Sequence, residues 1–225
     1  MTRGRTRAAE TAATERTYRG VPLVERQAER RRRLLDAALT VYSQRGYRHS
    51  TVRDVCESAG LTQRYFYESF EDSEALLLEA YRLVTFGLVE AITTAPGLQR
   101  ADRRERGRAM LAAFFDALKS DPRSARVFLV EIRGVSPAVD DGVNRAMAGI
   151  ASTTLRVMDV VEDEFTRLLA LGIVGGITQV AQQWIREGCR TRTTAMTDVA
   201  MALSTHVLGP NPPRGRPRSR PRAAS

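Results

Sequence analysis

Apolar residues recur at helical spacing along most of this chain, and a glycine, a proline or a capping residue stands wherever the repeat breaks. Leu34, Leu35, Ala38, Leu39 and Tyr42 fall on one stripe of a helix that begins near Arg26, and Gly46 suits its C-terminal end. Thr51 and Asp54 then stand in capping-box spacing, with Asp in place of the usual Glu or Gln. Val52, Val55 and Ala59 supply the inner face of this short helix, and Gly60 breaks it. A third helix can start at Thr62, with Phe66 and Phe70 stacked at i, i+4. Asp72 and Ser73 offer the N-cap of a long fourth helix running to about Ile92.

The pattern continues as helix after helix. The segments are Arg100–Ser120, then Ser124–Gly134 after the Asp121-Pro122 start signal, then Val139–Val160 after Ser136-Pro137. Glu162–Glu187 and Ala195–Leu208 complete the series. No stretch alternates with period two, so strands are not expected. The predicted fold is all-α, with about nine helices. Its expected units are a basic arm over 1–24, a three-helix unit over 25–72, a helical body over 73–209, and a Pro/Arg-rich tail over 210–225.

Charge changes this picture at the two ends. The formal net charge is +9, of which residues 1–33 hold +6 and residues 210–225 hold +5, leaving the body at −2. Basic tails suit a polyanion, usually nucleic acid, and equally suit solvent. Lys119 is the only lysine. The longest apolar run, Leu168–Ala181, is too short to cross a membrane, and the basic N-terminus lacks the apolar stretch of a signal peptide, so a cytoplasmic protein without a membrane partner is expected. Cys56 and Cys189 lie 133 positions apart, with neither metal nor disulfide spacing, and no cofactor or metal is expected.

Two short helices joined by a tight turn at Gly60 have the geometry of a helix-turn-helix. The third helix would lie in the major groove. Because Phe66 and Phe70 must face inward, Gln63, Arg64 and Tyr65 are the base-reading candidates. Arg64 matches guanine O6/N7 and Gln63 matches adenine N6/N7. Three amphipathic helices joined by short turns also occur in many α domains that bind no DNA.

The stretch from Arg31 to Leu77 strongly resembles the DNA-binding domain of the tetracycline-repressor (TetR) family. The matching elements are Leu34-Leu35-x-Ala37-Ala38, Arg45-Gly46-Tyr47, Thr51-Val52-Arg53-Asp54-Val55, Ala59-Gly60-Leu61, Tyr67, Phe70 and Glu74-Ala75-Leu76-Leu77. The resemblance implies that Thr51 caps the second helix and touches phosphate, that Arg53 reaches a base or the backbone, and that Tyr67 bonds phosphate. Thr62 opens the recognition helix, and Gln63, Arg64 and Tyr65 occupy its base-reading turn. The chain also departs from the family pattern. Tyr65 replaces a small residue, Glu68 and Ser69 stand where Arg or His is common, and Ser73 stands where a phosphate-binding Lys often opens the fourth helix. Residues 34–73 hold four arginines against six acids, so Arg30–Arg33 and the tails are expected to supply the missing phosphate charge.

Helix-turn-helix proteins bind paired half-sites as dimers, so a palindromic operator on double-stranded DNA and a homodimer through about 162–187 and 195–208 are expected. Gly172, Gly175 and Gly176 would let a partner helix approach, and Val199, Ala202, Leu203 and Val207 share a face. The resemblance agrees on these two helices, of which the first ends in Trp184-Ile185-x-x-Gly188. It further implies a small apolar effector among the middle helices, where Phe114, Phe128, Met147 and Gln179 are candidate lining and Glu131 a polar anchor; Glu131 equally suits a nearby arginine. In the tail, Pro213-Arg214-Gly215-Arg216-Pro217 resembles the core of an AT-hook, whose arginines lie along a narrow A·T minor groove, and Arg3-Gly4-Arg5 is a poorer echo.

The reading that emerges is a sequence-specific regulator of transcription, a dimeric repressor released by a small molecule. Activation depends only on where the operator lies. A non-specific architectural DNA protein is the alternative. An enzyme is disfavoured, because His49 and His206 are the only histidines and no nucleophile elbow, phosphate loop or metal cluster accompanies them.

Overall fold

The computed structural model describes residues 23–99 and 102–205, and all its regular elements are helical. They are α1 (Leu23–Arg45), a 3₁₀ turn (Tyr47–His49), α2 (Val52–Ala59), α3 (Gln63–Tyr67), α4 (Ser73–Thr93), α5 (Arg103–Ser120) and α6 (Pro122–Arg126). A π-helical segment (Val127–Glu131) follows α6 directly, and α7 (Pro137–Val157), α8 (Glu164–Arg186) and α9 (Thr193–Leu203) complete the described fold.

Local chemistry explains most of the boundaries. Asp72, Asp102, Asp121, Ser136 and Asp163 each cap a helix, with the side chain accepting a backbone N–H of the first turn. Several boundaries differ from the sequence pattern, among them α9, which runs from Thr193 to Leu203 rather than from Ala195 to Leu208. The first helix begins at Leu23, three residues before Arg26. The expected helix over 124–134 is instead α6 plus the π segment. The seventh helix stops at Val157, where Asp159 turns back with a φ of +50°.

One continuous core joins the first three helices to the body. Phe66 and Phe70 from the α3 region belong to the same buried cluster as Leu34, Tyr81, Phe115, Phe128 and Trp184. In the packing, α1 lies on α2, α4 on α5, α5 on α9 and α7 on α8. Trp184 sits edge-on to Phe115 at 5.6 Å between centroids, and its indole N–H bonds Thr191 O at 2.9 Å, which contributes about 0.5–1.5 kcal/mol beyond area burial.

By length and composition α8 is apolar enough to cross a membrane, contrary to the expectation from its longest apolar run. Its 23 residues include Ala170, Ile177, Ala181 and Trp184, all buried against neighbouring helices. The opposite stripe is open. Phe165, Leu168, Gly172, Gly175 and Gln179 repeat at three- and four-residue spacing and are all exposed.

Candidate nucleic-acid interface and apolar cavity

The reading unit is held by reciprocal caps and one left-handed glycine. Thr51 Oγ1 accepts Asp54 N–H at 3.2 Å, while Asp54 Oδ2 accepts Thr51 N–H at 2.8 Å, so the expected capping box is present. Thr51 Oγ1–H also donates to the carboxylate, and Arg45 pairs with it at 2.6 Å. These bonds hold the Asp54 carboxyl below the ordinary aspartate value. Gly60 ends α2 with φ +62° and ψ +39°, and a Cβ there would come within 3.0 Å of the Arg33 guanidinium, which donates to Ala59 O.

That turn delivers α3 with Phe66 fully buried beneath it. Phe66 meets Tyr67 edge-on at 5.2 Å and Phe70 at 5.9 Å. Gln63, Arg64 and Tyr67 consequently face outward, with Tyr67 60% exposed. Thr62 occupies the N-cap without a side-chain cap bond. Arg53 and Arg64 both project into solvent and pair with carboxylates four residues on, Glu57 at 2.7 Å and Glu68 at 3.0 Å. Such exposed pairs are worth about 0.2–1 kcal/mol, so a phosphate or a base edge can displace them.

Two expectations for this surface change. Tyr65 is not a free reader, because it is half-buried with the Arg30 guanidinium 4.4 Å above its ring. The Arg30–Arg33 run is not a free phosphate grip either. Arg31 donates to Ser69 O at 2.6 Å and covers Phe70, and Arg33 is spent on Ala59 O. These arginines fasten α3 and its turn onto α1. Arg32 is exposed and pairs with Glu29. Arg214, Arg216 and His206 lie outside the described residues.

The body contains a cavity of about 100 Å³ between α4, α5, α7, α8, the π segment and the C-terminal end of α9. Phe114 and Phe128 line it as expected. Its hydroxyl-bearing walls are Thr154, Thr178 and Ser204, and each hydroxyl donates to a carbonyl four residues back in its own helix: Ile150, Val174 and Ala200. The wall therefore presents almost wholly apolar surface. Met147 lies behind the lining, its sulfur 3.9 Å from Thr178 Oγ1.

The other two candidate lining residues are elsewhere. Gln179 is exposed on the open stripe of α8, because the inward stripe runs through Ile177, Thr178, Ala181 and Gln182. Gln182 is the buried amide, and its Nε2 donates to Leu129 O at 2.8 Å. Glu131 turns away from the cavity towards the first three helices: its carboxylate accepts Tyr47 N–H at 2.9 Å and Arg126 Nε–H at 3.0 Å. The arginine contact was within reach of sequence reasoning. The contact with Tyr47, 84 positions away, was not.

Comparison with known proteins places these features in context. Residues 34–80 match the model of the bacterial regulatory proteins of the tetR family. Over 163 residues the chain is 28% identical to the transcriptional activator FasR of Mycolicibacterium smegmatis, covering 70% of this chain and 73% of that protein. Over 107 residues it is 30% identical to the transcriptional repressor KstR2 of Rhodococcus jostii, covering 46% and 50%. The fold resembles the regulator FadR of Bacillus subtilis, solved in complex with stearoyl-CoA, with a TM-score of 0.62 at 18% identity over 76% of this chain and 96% of that one.

Proposed function

We propose that this chain, whose residues 34–80 match the model of the bacterial regulatory proteins of the tetR family, is a cytoplasmic, dimeric, operator-binding regulator of transcription of that family, released by an apolar effector. One observation carries the reading. A rigidly capped α2–turn–α3 unit presents Gln63, Arg64 and Tyr67 to solvent while sharing a single core with a cavity whose wall is apolar. Gln63 and Arg64 serve direct readout in a major groove, with Arg64 suited to guanine and Gln63 to adenine. Thr51, Arg53, Thr62 and Tyr67 lie around it as backbone contacts, which set register rather than sequence preference.

The open stripe of α8 and the neighbouring face of α9 supply the two-fold interface. Phe165 is 66% exposed, Leu168 52%, Val199 46% and Leu203 43%, an apolar surface broken by glycines that admit a second copy closely. The effector is a molecule with a long apolar part, and the stearoyl-CoA bound by the Bacillus subtilis structural relative gives the first class to try. The direction of regulation follows operator position, and repression is the expected outcome where the site overlaps a promoter.

Selection of bound duplexes from a random pool tests the first half of this reading. An inverted repeat with half-sites about one helical turn apart is expected. Recovery of no consensus, with equal binding to every duplex at moderate salt, would overturn it in favour of an architectural role. Titrating acyl-CoA thioesters of graded chain length against the bound operator tests the second half.

A further inference from the structure

The π segment between α6 and α7 reaches both functional regions within four residues. Phe128 forms part of the cavity wall and stacks on Tyr81 of α4, with centroids 5.3 Å apart and planes 11° from parallel. Glu131, three positions on, leaves the cavity and reaches the Gly46–Tyr47 turn that links α1 to α2. From α8, the buried Gln182 amide holds the Leu129 carbonyl between them. Five-residue π segments are uncommon, and they recur at functional sites.

The turn is built to receive that carboxylate. Gly46 adopts φ +84° and ψ +147°, a conformation open almost only to glycine. A Cβ on it would lie 3.2 Å from Glu131 Oε2, so the missing side chain also gives the carboxylate its approach. Glu131 is only 11% exposed in its side chain, and it answers the Tyr47 N–H on one oxygen and Arg126 on the other. Beside it, Arg48 donates to Gly134 O and the Tyr47 hydroxyl meets Ser73 Oγ, the first residue of α4.

Resting on the effector reading above, we propose that Glu131 is the positioning residue that transmits occupancy of the cavity to the reading unit. A ligand that displaces Phe128 shifts the short segment carrying Glu131. The strut then no longer holds the Tyr47 turn where α2 and α3 are aimed. Glu131 touches neither ligand nor DNA, and its effect is on the coupling between the two sites. Coupling of this kind exists only if the ligand favours one of two arrangements, and the strut is what distinguishes them here.

The test uses the full chain, a duplex recovered by selection, and stearoyl-CoA as probe. Duplex affinity is measured with and without saturating probe for the wild type, Glu131→Ala and Glu131→Gln. The wild type is expected to weaken by a factor within the usual range of about 5–150 for linked sites. In Glu131→Ala this factor falls towards unity while probe affinity without DNA is retained. Glu131→Gln keeps an acceptor for the Tyr47 N–H and recovers part of the coupling, which a purely structural role would not produce. Full coupling in Glu131→Ala overturns the proposal.

Should the wild type show no response to stearoyl-CoA, the acyl effector reading fails and a ligand-free measurement decides the strut. Ala170→Leu fills the cavity from α8, and amide exchange at Tyr47 is followed in that variant, alone and with Glu131→Ala. A change at Tyr47 that vanishes in the double variant supports the strut. Unchanged exchange in Ala170→Leu overturns it.

Discussion

The reading unit and the cavity use polar side chains in opposite ways. In the reading unit each one has an assigned station: Thr51 and Asp54 cap α2 reciprocally, Arg31 and Arg33 fasten the turn, and Gln63 and Arg64 are left facing solvent. Around the cavity the hydroxyls of Thr154, Thr178 and Ser204 are turned back onto their own helices. The first region works by directed hydrogen bonds and the second by shape. Losses in the first are therefore specific to one residue and one partner, whereas losses in the second scale with volume.

The largest break in that contrast comes from beneath the reading surface. Phe66→Ala removes a fully buried ring on which Tyr67 and Phe70 rest, at a cost of about 3–5 kcal/mol. Operator binding is expected to disappear in a mobility-shift titration while acyl probe binding to the body persists. Loss of both together would show that the shared core makes the two regions one cooperative unit.

Arg64→Ala comes next. It leaves the fold alone, since Arg64 is largely exposed and its partner among the described residues is the exposed Glu68. It should cost about 1–3 kcal/mol on the selected operator and relax preference at one base pair. Binding to random duplex is expected to change little. An equal loss on both duplexes would move Arg64 from base reading to phosphate contact.

How far each region was legible follows from the same contrast. The caps at Thr51 and Asp72 and the breaks at Gly46 and Gly60 depend on residues within four positions of one another, so α2, α3 and the start of α4 could be placed from the pattern. Outward-facing Gln63 and Arg64 followed once Phe66 and Phe70 were assigned inward. Tyr65 did not, because its cover comes from Arg30 on a different helix. In the body, Phe114 and Phe128 were found by size, but Gln179 and Gln182 differ by three positions on a helix whose two faces are both partly apolar. Which amide turns inward depends on the carbonyl that Leu129 offers, and that requires the π segment to be known.

On the cavity side a smaller effect is expected. Thr178→Val keeps the branched shape and deletes a hydroxyl whose bond is to Val174 O in the same helix. Stability should shift by less than about 1 kcal/mol, and acyl probe affinity should hold or improve. Loss of probe binding would mean that the hydroxyl leaves its own helix to meet the ligand, and that the cavity also reads by hydrogen bond.

The smallest effect separates the regions by acidity. The bond from the Thr51 hydroxyl, then that from the Thr51 backbone N–H, with Arg45 adding to them, holds Asp54 below its ordinary value of 3.8. A carboxylate with a lowered folded value binds its proton less readily folded than unfolded, so it stabilises the reading unit fully above 3.8 and loses that contribution as the pH falls below it towards the folded value. Among the described residues the cavity lining contains no Asp, Glu, His, Lys or Arg, so probe binding should stay level across the same window once the probe's own ionisation is subtracted. Protection of the α2 amides, taken against the intrinsic exchange rate at each pH, is expected to fall on acidification, and the fall should flatten in Asp54→Asn, which retains an acceptor but no charge. An identical acid dependence in Asp54→Asn would place the titrating group elsewhere in the reading unit. Acid-sensitive probe binding would show that the cavity is gated by a charged residue beyond its lining, with Glu131 as the nearest test of that link through the π segment.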